Sequence, residues 1–124
     1  MSNYLKLNQI DAYQISFRLS DYVWKVVSSW DNFAKYSIGQ QFTRSVDSIS
    51  ANIAEGFGRY HKKDKIKFYY NSRGSTYESL DWLQKANKRE LLTEKQHQHI
   101  LSKLKKLPKE INGLIKFTND RLEE

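Results

Sequence analysis

The amino-acid sequence predicts an all-α fold, an up-down-up-down bundle of four helices. Its 124 residues contain one proline and five glycines, so few positions interrupt a helix. Apolar residues recur at three- and four-residue steps along most of the chain, which is the period of an amphipathic helix, and no segment alternates like a strand. Short connections between the periodic segments favour antiparallel neighbours. We therefore predict one domain over residues 1–124, with residues 1–9 and 120–124 poorly ordered.

The first helix is predicted from about Ile10 to Trp30 and carries two adjacent apolar stripes. This apolar surface is wider than one seam of a bundle requires, so the helix is predicted to have a further contact surface. One stripe consists of Ile10, Tyr13, Phe17, Trp24 and Val27, and the other of Leu19, Val23, Val26 and Trp30.

The second helix follows the connection DNFAKYSIG, with Ser37 placed to cap it, and ends at Gly56. The third helix is predicted from about Lys62 to Lys88. Serines in its seam indicate a close approach between helices, because small side chains let two backbones come near. The apolar stripe of the second helix is Phe42, Val46, Ile49 and Ile53, and the seam of the third is Phe68, Ser72, Ser75, Ser79 and Trp82.

The fourth helix opens with a capping box, in which Thr93 is the N-cap and Gln96 stands three residues later. Pro108 falls inside this helix and predicts a kink, because proline removes one hydrogen bond and crowds the carbonyl four residues earlier. The core line of this helix is Ile100, Leu104, Leu107, Ile111, Leu114 and Thr118.

The composition indicates the cellular compartment and excludes sites that depend on cysteine. The chain has no cysteine, so neither a disulfide nor a thiolate metal site can form, which fits a reducing compartment. The N-terminus lacks a basic segment followed by an apolar run, and no apolar segment approaches the ~18 residues that a membrane span needs. These features predict a cytoplasmic protein without a membrane partner.

The charge is concentrated in the second half of the chain. Residues 1–58 contain five Lys or Arg and five Asp or Glu, whereas residues 59–124 contain 16 and nine, so the whole net charge of +7 lies in the second half. A basic surface of this kind favours polyanions, nucleic acid before an anionic membrane. The alternative is a solubilising surface, because such a charge is ordinary for a small domain.

The segment SISANIAEGFGR, residues 48–59, raises the question of a glycine-rich ligand loop. Nucleotide-binding glycine motifs follow a strand, whereas the segment before Gly56 is predicted to be helical, and the chain has no Gly-Lys-Ser/Thr. We therefore interpret Gly56 and Gly58 as a helix end, where glycine supplies left-handed backbone before the next helix begins.

The sequence predicts no catalytic site, metal site, cofactor or small-molecule substrate. His97 and His99 are two residues apart, which places them on different sides of a helix, and neither is followed at three or four residues by a carboxylate or imidazole. Ser75 lacks the strand and the glycine pattern of a nucleophile elbow, and no triad can be assembled around it.

A polar line accompanies the apolar stripe of the second helix. Glu55 could form an acid/base pair with Glu78 if the second and third helices are antiparallel. Because a helical bundle offers no obvious cleft, we favour a structural network in which Asn52 and Glu55 hold the third helix through Arg73, Ser75 or Glu78. The line itself is spaced i, i+4, i+7 and i+11 and consists of Ser48, Asn52, Glu55 and Arg59.

The segment SISANIAEGFGR, followed after a basic spacer by FYYNSRGSTYES, resembles the signature of the bacterial four-helix-bundle family of 23S rRNA intervening-sequence proteins. The resemblance covers about residues 10–118. It implies a left-handed four-helix bundle, commonly a homopentamer, with no known enzymatic activity and an unsettled molecular function. The sequence departs from the family pattern at His61, Tyr69 and Tyr70, near the start of the third helix.

Two functional hypotheses follow. The favoured one is an oligomeric, non-enzymatic protein that binds RNA or a nucleoprotein, because cations for phosphates alternate with rings on which unpaired bases can stack. The alternative is a protein-interaction scaffold without an RNA role, similar to the accessory protein of retroelement reverse transcriptases, a distant relation of the family. The predicted nucleic-acid-binding residues are Arg59, Tyr60, Lys62, Lys63, Lys67 and Arg73.

A homo-oligomer is predicted from the two apolar stripes of the first helix, and the family resemblance implies that it is a pentamer. The predicted interface residues are Trp24, Trp30 and Tyr69.

Overall fold

The computed structural model describes residues 6–122, most of which lie in helices. Four long helices pack against each other, which confirms the predicted all-α fold, and the predicted handedness stays a prediction. In chain order the elements are a 3-10 helix (Leu7–Gln9), α1 (Asp11–Ser28), the short α2 (Asn32–Lys35), α3 (Ile38–Phe57), α4 (Lys62–Lys88) and α5 (Glu94–Arg121).

Each long helix makes its main contacts with two neighbours, in the cyclic order α1, α3, α4, α5. Helices α3 and α4 run antiparallel, since the Ser72 hydroxyl donates to the backbone oxygen of Ile49 at 2.7 Å while Ser79 donates to Ser45 at 3.0 Å. In this square arrangement the edge formed by α1 and α3 lies opposite the edge formed by α4 and α5.

The buried line of α4 is displaced by one residue from the prediction. Ser72 and Ser79 are fully buried, as predicted, but Phe68, Ser75 and Trp82 are only partly buried. Those three residues form a seven-residue repeat that lies beside the seam, because consecutive helical residues are about 100° apart around the axis. The prediction was therefore wrong for them, and the buried line is Tyr69, Ser72, Thr76, Ser79, Leu83 and Ala86.

The helix ends follow local signals in some places and not in others. The Thr93 capping box is confirmed, with Thr93 Oγ1 accepting the Gln96 N–H at 3.1 Å and Gln96 Oε1 accepting the Thr93 N–H at 3.0 Å. Ser37 occupies the N-cap position of α3, but its hydroxyl donates back to the backbone oxygen of Phe33 at 2.5 Å, because the unpredicted α2 ends just before it. Helix α5 continues on both sides of Pro108.

The chain ends differ from the expected disorder where they are described. The 3-10 helix at Leu7–Gln9 precedes α1, with Leu7 packed against the core, and the Leu122 N–H bonds to the Thr118 oxygen at 3.2 Å. The expectation is therefore corrected for residues 6–9 and 120–122, while residues 1–5 and 123–124 lie outside the described residues. Within the described part of the chain, no helix is long and apolar enough to cross a membrane.

The bundle buries one of the two apolar stripes of α1 and covers the other only in part. The stripe that contains Leu19 and Val23 is buried against the other helices. In the stripe that begins at Ile10, Ile10 and Val27 are also buried, but Phe17 is 54% exposed and Trp24 is 62% exposed. The bundle therefore leaves an aromatic strip of α1 in contact with solvent.

Candidate nucleic-acid interface

Glycine allows α4 to approach α3 closely at the corner between them. A Cβ atom added to Gly56 would lie 2.7 Å from Tyr69 Cε1 and 2.9 Å from the backbone oxygen of Lys65. At Gly58 the nearest atoms would be 3.6 Å away, which is ordinary contact. No glycine within residues 6–122 has a positive φ, and Gly58 is right-handed, with φ −79° and ψ −7°. The predicted left-handed backbone is therefore wrong, and Gly56 is needed for close packing.

Two cations close this corner. Lys65 Nζ donates to the backbone oxygen of Phe57 at 2.7 Å, an oxygen that the end of α3 leaves without a helical partner. Burial lowers the pKa of Lys65. Arg59 forms an ion pair with Glu55 at 2.7 Å and lies over the ring of Phe68, 4.7 Å from its centroid. Because this ion pair is on the surface, it orients the arginine more than it stabilises the fold.

The predicted polar network between α3 and α4 is not formed. Asn52 Nδ2 donates to the backbone oxygen of Ser48 at 2.8 Å, within α3. Glu55 forms its ion pair with Arg59. In the described chain neither side chain bonds to Ser75 or Glu78. The predicted connection between these four residues is therefore corrected.

The antiparallel register explains where Glu78 bonds instead. Ser79 meets Ser45, so Glu78 lies beside Arg44 and forms an ion pair with it. The predicted partners, Asn52 and Glu55, lie about 12 and 17 Å further along α3. Trp82 Nε1 also donates to the Glu78 carboxylate, at 3.0 Å. Hydrogen bonds from Trp82 and Arg44 lower the pKa of Glu78, so its carboxylate is an acceptor that links α3 to α4.

Lysine and tyrosine side chains form a basic surface where α4 begins. Tyr60, in the turn before α4, is 90% exposed. Lys63, Lys67 and Tyr70 stand at i, i+4 and i+7 and therefore share one face of α4. Lys67 has neither a hydrogen bond nor an ion pair within residues 6–122. We define the basic surface as Tyr60, Lys62, Lys63 and Lys67, with Arg59 and Arg73 at its margins.

Two cations of the predicted site connect α4 to α5. Arg73 Nη1 donates to Asn112 Oδ1 at 2.7 Å, and its guanidinium carbon lies 4.8 Å from the centroid of the Tyr70 ring. Lys62 Nζ donates to the backbone oxygen of Asn119 at 3.3 Å. These contacts hold Arg73 and Lys62 against α5, at the border of the basic surface. The sequence analysis did not identify either asparagine.

Of the three predicted interface residues, only Trp24 lies on the surface. Trp30 is 8% exposed and Tyr69 is 2% exposed. Tyr69 packs against Gly56, and burial raises the pKa of Tyr69 to about 12. Trp30 stacks on Phe42, with ring centroids 6.5 Å apart, and its Nε1 has no hydrogen-bond partner among the described residues. Both side chains belong to the core of their own chain, so the interface prediction is corrected for them.

Two residues considered above for chemistry, His99 and Ser75, make contacts within the bundle. Within residues 6–122, no three His, Cys, Asp or Glu side chains are grouped as a metal ion would require. The ring of His99 lies against Tyr22 of α1, with centroids 4.2 Å apart. The backbone oxygen of Ser75 accepts a bond from the Ser79 hydroxyl at 2.8 Å.

Comparisons with known proteins agree with this architecture. The family model described as 23S rRNA-intervening sequence protein matches residues 8–113. Among solved structures, the chain is similar to a protein of unknown function from the S23 ribosomal protein family of Bacteroides thetaiotaomicron VPI-5482. The TM-score is 0.78, with 21% sequence identity over 85% of this chain and 98% of that chain, so this likeness concerns the fold. No curated protein shows a significant match.

Proposed function

Because this chain belongs to the family of 23S rRNA-intervening sequence proteins, we propose that it is a non-enzymatic, self-associating bundle that binds RNA through its basic surface. The observation that carries the proposal is the combination of a 90% exposed Tyr60 with Lys63 and Lys67, in the half of the chain that holds the whole net charge of +7. Lysine ammonium groups attract phosphates, and an exposed ring can stack on an unpaired base.

The aromatic strip of α1 supports self-association. Phe17 and Trp24 are more than half exposed, and Tyr13 lies beside Phe17 with ring centroids 5.7 Å apart. A second copy of the chain that covers this strip would remove a large apolar area from water, which favours association. The proposed subunit number of five comes from the family resemblance.

Self-association would repeat the basic surface in every subunit. Several weak phosphate-binding surfaces can then engage one polynucleotide, so the assembly gains avidity without a base-specific pocket. Binding should depend weakly on sequence and should favour RNA with unpaired regions, because Tyr60 can stack only on an accessible base. Binding should also weaken as salt rises, because release of condensed counterions becomes less favourable.

Reversing the charge at Lys62, Lys63 and Lys67 together is expected to abolish RNA retention while the bundle stays folded. Lys63 and Lys67 are exposed, and the contact of Lys62 with α5 is a single hydrogen bond at the surface. The measurement is filter binding of structured and single-stranded RNA over a salt series. For wild-type protein on single-stranded RNA, the logarithm of the binding constant should fall linearly with the logarithm of the salt concentration. The slope should be about −0.7 for each phosphate contacted.

A matched control reverses three exposed lysines elsewhere, Lys88, Lys95 and Lys106. Both triple variants change the net charge from +7 to +1, since each replaces three positive charges with three negative ones. Lys95 lies ~36 Å along α5 from Asn119, which Lys62 contacts, so the control should retain most RNA binding. Equal loss in both variants, or no loss in the first, contradicts the basic surface. A wild type that retains no RNA at low salt favours the protein-interaction scaffold.

A further inference from the structure

A pocket with a volume of about 310 Å³ lies between α1 and α5. This volume is at the lower end of the range for small-ligand sites, roughly 300–1,000 Å³. Leu19 in its lining is buried, and the Tyr22 ring of α1 lies against the His99 ring of α5, with centroids 4.2 Å apart. We call this site the α1/α5 pocket; its other lining residues are Ile15, Arg18, Asp21, Lys25 and Lys103.

The directions of the two helices place Arg18 and Lys103 on the same side of this ring pair. Each long helix runs antiparallel to the next one along the chain, so α1 and α5 are also antiparallel. Arg18 precedes Tyr22 by four residues on α1, and Lys103 follows His99 by four residues on α5. In antiparallel helices these two displacements have the same direction, so both cations lie ~6 Å along the bundle from the rings. Each wall of the pocket therefore supplies one cation at the same level.

Positive charge in this pocket exceeds negative charge by two. The lining contains three cations, Arg18, Lys25 and Lys103, and one carboxylate, Asp21. Asp21 is already paired with Lys25, at 3.2 Å. Within residues 6–122, Arg18 and Lys103 have neither a hydrogen bond nor an ion pair. Two unpaired cations on facing walls repel each other unless an anion lies between them.

A nucleotide with one phosphate has the groups that this pocket can bind. A phosphate monoester carries a charge of about −1.5 to −2 at neutral pH, which matches the excess of two positive charges. Arginine binds phosphate through two parallel N–H bonds, and lysine binds it as a point charge. The ring of His99 is exposed and that of Tyr22 is half-buried, so the pair offers a planar base a surface on which to stack.

We propose that the α1/α5 pocket binds a nucleoside 5′-monophosphate, with the phosphate between Arg18 and Lys103 and the base against the ring of His99. The same chemical group occurs as a free nucleotide and at the 5′ end of an RNA strand. The site is separate from the basic surface, since Lys103 lies ~24 Å along α5 from Asn119, which Lys62 contacts. The inference therefore depends neither on RNA binding at the basic surface nor on self-association.

The test is isothermal titration calorimetry of the whole chain with adenosine monophosphate at low salt. Arg18→Gln combined with Lys103→Gln should weaken binding of this nucleotide about tenfold or more, because both charge-assisted contacts with the phosphate are lost. Lys88→Gln combined with Lys109→Gln is the matched control and should bind the nucleotide like the wild type. Both control residues are exposed and lie outside the pocket, and both double variants change the net charge from +7 to +5.

Separate ligands test each half of the nucleotide and its source. Adenosine and inorganic phosphate should both bind the wild type more weakly than adenosine monophosphate does. A short RNA with a 5′-phosphate is compared with the same RNA carrying a 5′-hydroxyl. Tighter binding of the phosphorylated RNA, lost in the Arg18/Lys103 variant, would assign the pocket to an RNA end, whereas equal binding of both RNAs would assign it to the free nucleotide.

Several results would overturn the proposal. One is a wild type that does not bind adenosine monophosphate at low salt, and another is an equal loss of affinity in both double variants, which would indicate attraction to net charge alone. Adenosine that binds as tightly as the nucleotide contradicts the phosphate contact, and inorganic phosphate that does so contradicts the stacking.

Thermal unfolding without ligand separates a binding role from a structural one. The midpoint of the Arg18/Lys103 variant should equal or exceed that of the wild type, because the substitution removes repulsion between two cations that have no partner in residues 6–122. A lower midpoint would show that the two cations stabilise the fold and would contradict their assignment to a ligand.

Discussion

A Gly56→Ala variant is expected to lose roughly 2 kcal/mol of unfolding free energy, which lowers the thermal midpoint by about 8 °C for a chain of this size. The added Cβ would meet the ring of Tyr69 at 2.7 Å and the backbone oxygen of Lys65 at 2.9 Å. The ring is buried and the oxygen belongs to α4, so neither can move without displacing the helix. The gain of ~1 kcal/mol from replacing glycine by alanine in a helix only partly offsets this clash.

The matched control is Gly58→Ala, measured at the same protein concentration by thermal unfolding. The backbone of Gly58 is right-handed, and its added Cβ would find the nearest atoms at 3.6 Å, so the midpoint should stay the same or rise slightly. If Gly58→Ala lowered the midpoint and Gly56→Ala did not, the role of glycine at this corner would be conformational, and the packing argument would be wrong.

A Ser72→Leu variant is expected to lose about 3 kcal/mol or more, because it forces extra side-chain volume into the contact between α3 and α4. Ser72 is fully buried, and its hydroxyl donates to the backbone oxygen of Ile49 at 2.7 Å. The substitution therefore adds volume at the closest approach of two helices and removes a hydrogen bond worth ~1 kcal/mol.

Ser75→Leu is the control for this change, since it introduces the same side chain three residues later. Ser75 is partly exposed, so the stability of this variant should stay within about 0.5 kcal/mol of the wild type. Urea unfolding of both variants measures the difference. If Ser75→Leu lost more unfolding free energy than Ser72→Leu, the result would support the seam predicted from the sequence and contradict the buried line seen in the structure.

The displacement of this seam shows what a single sequence can indicate about burial. Phe68 and Trp82 are apolar and were predicted to be core, whereas Tyr69 and Thr76 carry hydroxyl groups and were not. The structure reverses this assignment, since Tyr69 and Thr76 are buried. Burial on α4 follows the side that faces α3, and that side is chosen by the partner helix. The bounds of α4, Lys62–Lys88, were predicted correctly.

One short helix, α2, carries a local sequence signal that would have allowed its prediction. The four-residue α2 is too short to show a helical period, but Asp31 before it caps it by accepting the Ala34 N–H at 3.1 Å. An Asp at this position is a common N-cap, so this element could have been predicted from the connection DNFAKYSIG.

The candidate site was predictable in composition but not in its contacts. Clustered lysines and tyrosines before and within α4 are visible in the sequence. Which cations are held within the chain depends on the antiparallel register of α4 and α5, since Arg73 bonds to Asn112, 39 residues away, and Lys62 to Asn119, 57 residues away. No local pattern encodes these pairs. The structure was therefore needed to distinguish Arg73 and Lys62, which bond to α5, from the exposed Lys63 and Lys67.

Self-association is the claim on which the avidity for RNA depends, and light scattering on a size-exclusion column tests it most directly. Five copies of the 14.7 kDa chain predict a mass of about 74 kDa at micromolar concentration. The uncovered aromatic strip of α1, with Phe17 54% and Trp24 62% exposed, is the physical reason for expecting an assembly. A mass near 14.7 kDa at that concentration would contradict the claim.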